Sequence, residues 1–282
     1  MTIERFAPSP TGLLHLGHAF SALTAFEAAQ EAKGRFLLRI EDIDGPRCKP
    51  EYVDAIYDDL RWLGIRWDTP VLHQLDRLER YQEAVDQLTQ MGLTYPCSCT
   101  RKDIAVALSA PQEGDDAAMG PDGVIYPGTC RHRISGGEND AIRLDMRKAV
   151  KFLGTSDVKY REIGEDAGPK SFDTAFLVKH CGDIVLARKD IGTSYHIAVV
   201  VDDAFQEVTH VTRGLDMAPA TPIHVLLQRL FGYATPTYRH HRLIRDDTGK
   251  RLAKRHDALA ISALRQAGWS VADVKAAVGS SA

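Results

Sequence analysis

Apolar residues recur along this chain with two spacings, and the two alternate. A short run at Ile3–Phe6 reads as a strand. Pro8-Ser9-Pro10-Thr11-Gly12 then forbids both strand and helix. The alanine-rich stretch Ala19–Lys33 is composed of strong helix formers, and Arg35–Ile40 reads as a second strand. Over residues 50–63, Tyr52, Ile56, Leu60 and Leu63 fall near one helical face; over Asp76–Met91, Tyr81, Val85 and Leu88 do the same, with Gly92 closing the helix. Strands alternating with helices of this length predict an α/β fold with a Rossmann-like, doubly wound parallel sheet.

The pattern changes at Leu93. Residues 95–190 are richer in turns, with short alternating strands at Ala141–Asp145 and Asp183–Ala187. Ser109–Gly123 carries Pro, Gly, Asp and Glu and reads as a surface loop. The α/β character returns with the apolar run Tyr195–Asp203, a strand-like Val208–Thr212 and a helix at Ala218–Phe231. Two short helices are expected near Ala258–Ala267 and Val271–Val278. The division predicted is a sheet domain of residues 1–92 and 191–282 interrupted by an inserted α+β subdomain at 93–190.

Composition narrows the class. Of 282 residues, 44% are hydrophobic, enough for a sizeable core, and the formal net charge of −3 provides no global attraction for nucleic acid. No run of about 18 apolar residues exists and no apolar leader precedes the first strand, so a cytoplasmic protein away from membranes is expected. Five cysteines, an odd number, argue against a disulfide framework. Residues 239–256 form the strongest basic patch, with seven Lys or Arg and an Asp-Asp-Thr-Gly turn in the middle.

The candidate chemistry sits at strand ends. His15 and His18 flank Gly17 where the first strand hands over to a helix. Such a helix start favours phosphate, and a glycine lets a ligand approach the backbone. Glu41, Asp42 and Asp44 follow the second strand, where open α/β sheets bind ligands. The dinucleotide fingerprint G-x-G-x-x-G is absent from the first turn. By themselves, the charges near these ends are equally consistent with structural ion pairs such as Arg5 with Glu4 or Arg39 with Glu41.

Taken in order, Arg5-Phe6-Ala7-Pro8-Ser9-Pro10-Thr11-Gly12, His15-Leu16-Gly17-His18, Arg39-Ile40-Glu41-Asp42-Ile43-Asp44, Val200-Val201-Asp202-Asp203, Arg213-Gly214 and Arg251-Leu252-Ala253-Lys254-Arg255 resemble the glutamyl branch of the class I aminoacyl-tRNA synthetases. The resemblance is to its shortened paralogues, which lack the anticodon-binding domain and attach glutamate to the queuosine base of tRNA(Asp). It implies L-glutamate, ATP and queuosine-bearing tRNA(Asp) as partners, Mg²⁺ accompanying ATP, and a monomer. It implies His15, His18 and Lys254 as catalytic, with Gly17 beside them on ATP, and Arg5, Ser9, Glu41, Tyr195 and Arg213 on glutamate. It also implies a structural Zn²⁺ held by Cys97, Cys99, Tyr126 and Cys130 in the inserted subdomain.

Two departures from the family pattern stand out. The spacer between Cys99 and Tyr126 is long, which either leaves the zinc site intact or empties it, with His132 as a substitute ligand. Ala253 and Arg255 replace serines in the lysine loop. A small-molecule nucleotidyltransferase would explain His15, His18 and Lys254 but not the Arg5, Glu41, Tyr195 and Arg213 set. A truncated synthetase charging the tRNA 3′ end would explain both.

Overall fold

The computed structural model describes residues 1–109, 119–137, 139–244 and 260–279. Three parallel strands open the chain: β1 (Ile3–Phe6), β2 (Arg35–Ile40) and β3 (Asp68–His73), in the order β1-β2-β3. Helix α1 (Leu16–Glu31) joins β1 to β2, α2 (Pro50–Trp62) joins β2 to β3, and α3 (Leu78–Gln90) follows. Both strand faces are covered. Phe6, Phe36, Leu38 and Ile40 pack with Ala19, Ala22 and Leu23 of α1 and with Ile56 and Leu60 of α2. Ile3 and Leu37 face the other way, into a larger core with Tyr81, Val85 and Leu88 of α3. Arg5 and Arg39 alternate with Ile3 and Leu37 at period two, so they share that second face and stand near the strands' C-terminal ends.

The middle of the chain contributes two layers. Strands β4 (Thr94–Cys97), β7 (Ala141–Leu144) and β10 (Val185–Ala187) form an antiparallel sheet in the order β10-β7-β4. Helix α4 (Arg101–Ser109) and a two-stranded hairpin, β5 (Met119–Gly120) and β6 (Gly123–Val124), lie between β4 and β7. After α5 (Met146–Leu153), β8 (Asp157–Glu162) pairs antiparallel with β9 (Gly168–Asp173). A helical turn, α6 (Thr174–Phe176), runs into a π-helix at Leu177–Cys181.

The last third closes the sheet. Helix α7 (Tyr195–Phe205) and helix α8 (Thr221–Phe231) flank β11 (His210–Gly214), and β12 (Thr237–His241) follows. The strand order is β11-β12-β8-β9, with β11 and β12 parallel. Strand β11 lies beside β1, where the Thr209 N–H donates to the Ile3 carbonyl at 3.0 Å. Helices α9 (Ile261–Gln266) and α10 (Val271–Val278) end the described chain, α10 closed by a Ser270–Asp273 capping box.

Two elements differ from the pattern-based expectation, and one run left unassigned there acquires an element. Helix α1 begins at Leu16 rather than Ala19, because His15 caps it. The apolar run from Tyr195 is a helix, buried from His196 to Asp203, so no polar stripe marks its period. Of the expected 109–123 loop, Ser109 ends α4, residues 119–123 belong to a hairpin that closes at Val124, and residues 110–118 lie outside the described ones.

Candidate active site

The first cluster is built on β1, β2 and α7. Asp203 Oδ1 accepts from Arg5 Nε at 3.1 Å and from Arg39 Nη1 at 2.7 Å. Arg39 Nη2 donates to Glu41 at 3.1 Å, and Arg5 Nη1 to the Thr212 carbonyl at 3.3 Å. The neighbouring Asp202 turns the other way and accepts from Arg77, Gln74 and Tyr81. Burial disfavours charge on both Asp203 and Glu41, with opposite outcomes. Arg5 and Arg39 more than offset it at Asp203, whose carboxyl is held below its ordinary value. At Glu41 burial prevails over Arg39 and Arg5, and the carboxyl is lifted. Thus Arg39 pairs with Glu41 as a simple ion-pair reading expects, whereas Arg5 pairs with Asp203 and not with Glu4. The remaining acids of that stretch are also engaged: Asp42 accepts from the Leu75 N–H and pairs with His73, and Asp44 pairs with Arg47.

Arg213, at the C-terminal end of β11, has a different environment. It is 7% exposed. Its donors reach His240 Nε2 (3.2 Å), His224 Nδ1 (3.1 Å), Thr221 Oγ1 (2.7 Å) and the Tyr195 hydroxyl (3.4 Å). Among the described residues no carboxylate forms an ion pair with it. Burial and the adjacent guanidinium hold His224 well below its ordinary pKa, and His240 is lowered for the same reasons. So Arg213 is a buried cation surrounded by neutral acceptors, a surrounding that favours an anionic ligand. The Tyr195 phenol lies in the fields of Arg213, Glu41 and Arg5, which brings these four predicted residues together. Ser9 is exposed on the turn after β1.

The two early histidines form the start of α1. His15 Nδ1 accepts from the Gly17 N–H at 3.1 Å, and His18 Nδ1 accepts from the His15 N–H at 3.1 Å. Both rings therefore carry their neutral-state proton on Nε2. The rings lie 3.8 Å apart. A Cβ on Gly17 would lie 3.0 Å from the His15 ring, so a side chain there would press on the cap. The Gly17 N–H, expected to be open to a ligand, is taken by His15. Lys254 and the loop Arg251–Arg255 lie outside the described residues. The residues bracketing them do not: Ile244 and Ile261 pack in one cluster with Leu14, and the Ile261 N–H donates to the Leu14 carbonyl at 2.9 Å.

A third group lies in the middle segment. Cys97 and Cys99 leave the end of β4, and Tyr126 and Cys130 follow β6. The three Sγ atoms lie within 4.8 Å of one another, and Tyr126 Oη is 3.4 Å from both Cys97 and Cys99 Sγ. Zinc–sulfur bonds of about 2.3 Å put tetrahedral sulfurs roughly 3.8 Å apart, so these donors suit a four-coordinate metal. Burial raises the Cys130 thiol, but hydrogen bonds from Tyr126, the Ser98 backbone and Cys99 outweigh it and bring the pKa down to about 6. The Cys130 N–H donates to Tyr126 Oη at 2.8 Å and the Arg143 guanidinium sits 3.8 Å from its ring centre, but burial and the three surrounding cysteines outweigh them and raise the phenol, so a bound cation is needed to ionise it. His132 is outside this cluster; it lines a cavity of about 680 Å³ with Tyr95 and Arg131.

The family model for the catalytic domain of class I tRNA synthetases (E and Q) matches residues 2–274. The chain belongs to this family. It is 52% identical to the glutamyl-Q tRNA(Asp) synthetase of Rhodobacter capsulatus over 98% of this chain and 99% of that one. It is 40% identical to the protein of that name from Nitratidesulfovibrio vulgaris, covering 96% of this chain and 83% of the relative. Among solved structures, the glutamate-tRNA synthetase of Elizabethkingia anophelis superposes with a TM-score of 0.72 at 29% identity, over 90% of this chain and 52% of that one. The chain thus spans about half the length of that solved synthetase. A methionyl-tRNA synthetase from Mycobacterium tuberculosis, at 11% identity and a TM-score of 0.59, shares the fold.

Several residues of this synthetase-family site were not singled out from sequence. Asp203 was visible as half of an Asp-Asp pair, but nothing in the sequence tells which arginine it holds. His224, His196 and Asp122 had no local signal. His240 sits in the basic patch, yet its partner is Glu162, 78 residues away. Among the described residues no helix is long and apolar enough to cross a membrane.

Proposed function

We propose that this class I synthetase activates L-glutamate with ATP and transfers the glutamyl group to the queuosine base of tRNA(Asp). The observation that carries the amino-acid half is Arg213, a buried cation with only neutral acceptors among the described residues, grouped with Arg5, Glu41 and Tyr195. Arg213 and Arg5 take the two carboxylates, with Ser9 adding a hydroxyl. Glu41 takes the α-ammonium, and Tyr195 donates or accepts at the ligand. Glutamine in place of glutamate leaves a buried guanidinium without its charge partner, at a cost of about 1–3 kcal/mol or more. The tRNA half rests on relatives named for queuosine-bearing tRNA(Asp) and alike over nearly the whole chain.

In the first step a glutamate α-carboxylate oxygen attacks the α-phosphorus and pyrophosphate leaves. His15 and His18 donate from Nε2 to phosphate oxygens as charge builds there, and Lys254 neutralises the departing pyrophosphate. Mg²⁺ would accompany ATP and supply charge neutralisation at the phosphates, with no residue of this chain assigned to hold it. In the second step a cyclopentene hydroxyl of queuosine attacks the acyl carbon, AMP leaves, and an ester forms. Cys97, Cys99, Cys130 and Tyr126 would hold a structural Zn²⁺, and with it bound the end of β4 would be tied to the segment after β6. Exchange of labelled pyrophosphate into ATP tests the first step. It is expected with glutamate and at least tenfold weaker with glutamine. Exchange that proceeds equally without an amino acid would instead indicate a small-molecule nucleotidyltransferase.

A further inference from the structure

Arginine offers five N–H groups and no acceptor, so every partner of Arg213 must accept. His224 Nδ1, at 3.1 Å, therefore carries a lone pair, and the His224 proton is on Nε2. That Nε2–H faces His196 Nδ1 at 3.0 Å, which must accept in turn. The His196 proton is then on Nε2, where it meets both oxygens of Asp122 at 2.9 and 3.0 Å. An ionised carboxylate only accepts, so the far end fixes the same direction independently. Every link agrees, from a guanidinium through two neutral imidazoles to a carboxylate.

A parallel arm leads from Arg213 Nε to His240 Nε2 and on to Glu162, which is buried. The two arms end differently. The Asp122 side chain is 51% exposed and sits in the turn of the β5–β6 hairpin. That hairpin is seated closely on the π-helix: a Cβ on Gly120 would meet the His180 carbonyl at 2.7 Å. We propose that Asp122, His196 and His224 are positioning residues for Arg213, a relay that couples the inserted hairpin to the amino-acid pocket. The coupling to glutamate rests on the reading of Arg213 as a carboxylate-binding residue; the relay itself does not.

Three full-length variants test it. Asp122→Ala removes a half-exposed carboxylate and no buried packing, so the loss of stability should not exceed that of one unpaired hydrogen bond, and the protein stays folded. It should raise the glutamate KM in pyrophosphate exchange about three- to tenfold, the loss of one ordinary hydrogen bond, and leave the ATP KM unchanged. His224→Leu should raise the glutamate KM further. His224→Gln should largely restore it, since a planar amide accepts from Arg213 through oxygen and donates to His196 through nitrogen. Imidazole ¹⁵N shifts of the ligand-free protein give a second readout that needs no activity. They should place the His224 and His196 protons on Nε2 and show that Asp122→Ala perturbs His224, two links away. An Nδ1–H tautomer at His224, or equal effects of Leu and Gln there, overturns the relay. So does an Asp122→Ala protein with unchanged His224 shifts and glutamate KM. A wild-type enzyme that shows the tautomers but ignores glutamate keeps the relay and removes only the functional reading.

Discussion

Asp203→Asn isolates one charge at the centre of the cluster. The shape is kept and the amide oxygen can still accept, but Arg5 and Arg39 lose the carboxylate they share at 3.1 and 2.7 Å. Arg39 is fully buried and retains Glu41 at 3.1 Å; Arg5 retains only the Thr212 carbonyl among these contacts. Breaking a buried pair costs about 3–5 kcal/mol, and the retained acceptors favour the low end, about 3 kcal/mol. For a chain of this size that is a fall of roughly 6–12 °C in melting temperature. Because Asp203 is ionised more readily in the folded protein, its stabilisation is complete above the ordinary carboxylate pKa and is lost as pH falls through the depressed folded value. Wild type and variant should therefore differ most at neutral pH and converge in acid. With Arg5 less constrained, the glutamate KM in pyrophosphate exchange should rise about tenfold or more. Calorimetry at pH 7.5 with the exchange assay checks both. A melting temperature within about 1 °C of wild type together with an unchanged KM would refute the role given to Asp203.

Three other outcomes follow from the same physics. Burial lifts Glu41, and an ammonium needs its carboxylate form, so glutamate affinity should begin to weaken at a pH above the ordinary carboxylate value of 4.5; calorimetric titration that stays flat down to 4.5 contradicts this. Asp59 on α2 is pushed up to about 6 by burial, only partly countered by Arg265, and its Oδ2 has no partner. Since the folded-state pKa is raised, the penalty grows as pH rises through the interval from 3.8 to about 6; Asp59→Asn should stabilise by up to about 3 kcal/mol at pH 8 and by little below pH 4, and equal denaturant midpoints for the two proteins at pH 8 would be inconsistent with it. Elemental analysis should find about one zinc per chain, lost on chelation or in Cys130→Ser with a lower melting temperature; a metal-free native protein of unchanged stability argues against the site.

How far the sequence disclosed this protein depended on whether a signal was local. Helices α2 and α3 each carry a charged outer face, so their period could be read directly. Helix α7 is buried from His196 to Asp203 and rich in valine, so nothing distinguished it from a strand. The early histidines were visible as a pair. That His15 would cap α1 and take the Gly17 N–H was not, since cap geometry depends on backbone angles. The cysteine set was identified through resemblance, and the fold then brought Cys99 and Cys130 together from positions 31 residues apart. The relay had no local trace: Asp122, His196 and His224 are separated by 74 and 28 residues and converge only because the hairpin, α7 and α8 meet beside β11.

The central claim is the acceptor of the glutamyl group. The direct measurement is transfer of labelled glutamate to tRNA(Asp) transcripts and to tRNA(Asp) carrying queuosine, each with its 3′-terminal adenosine present or removed. Transfer is predicted only to the queuosine-bearing tRNA, undiminished by loss of the terminal adenosine. Equal labelling of both tRNAs, or labelling abolished by removing the terminal adenosine, would contradict it.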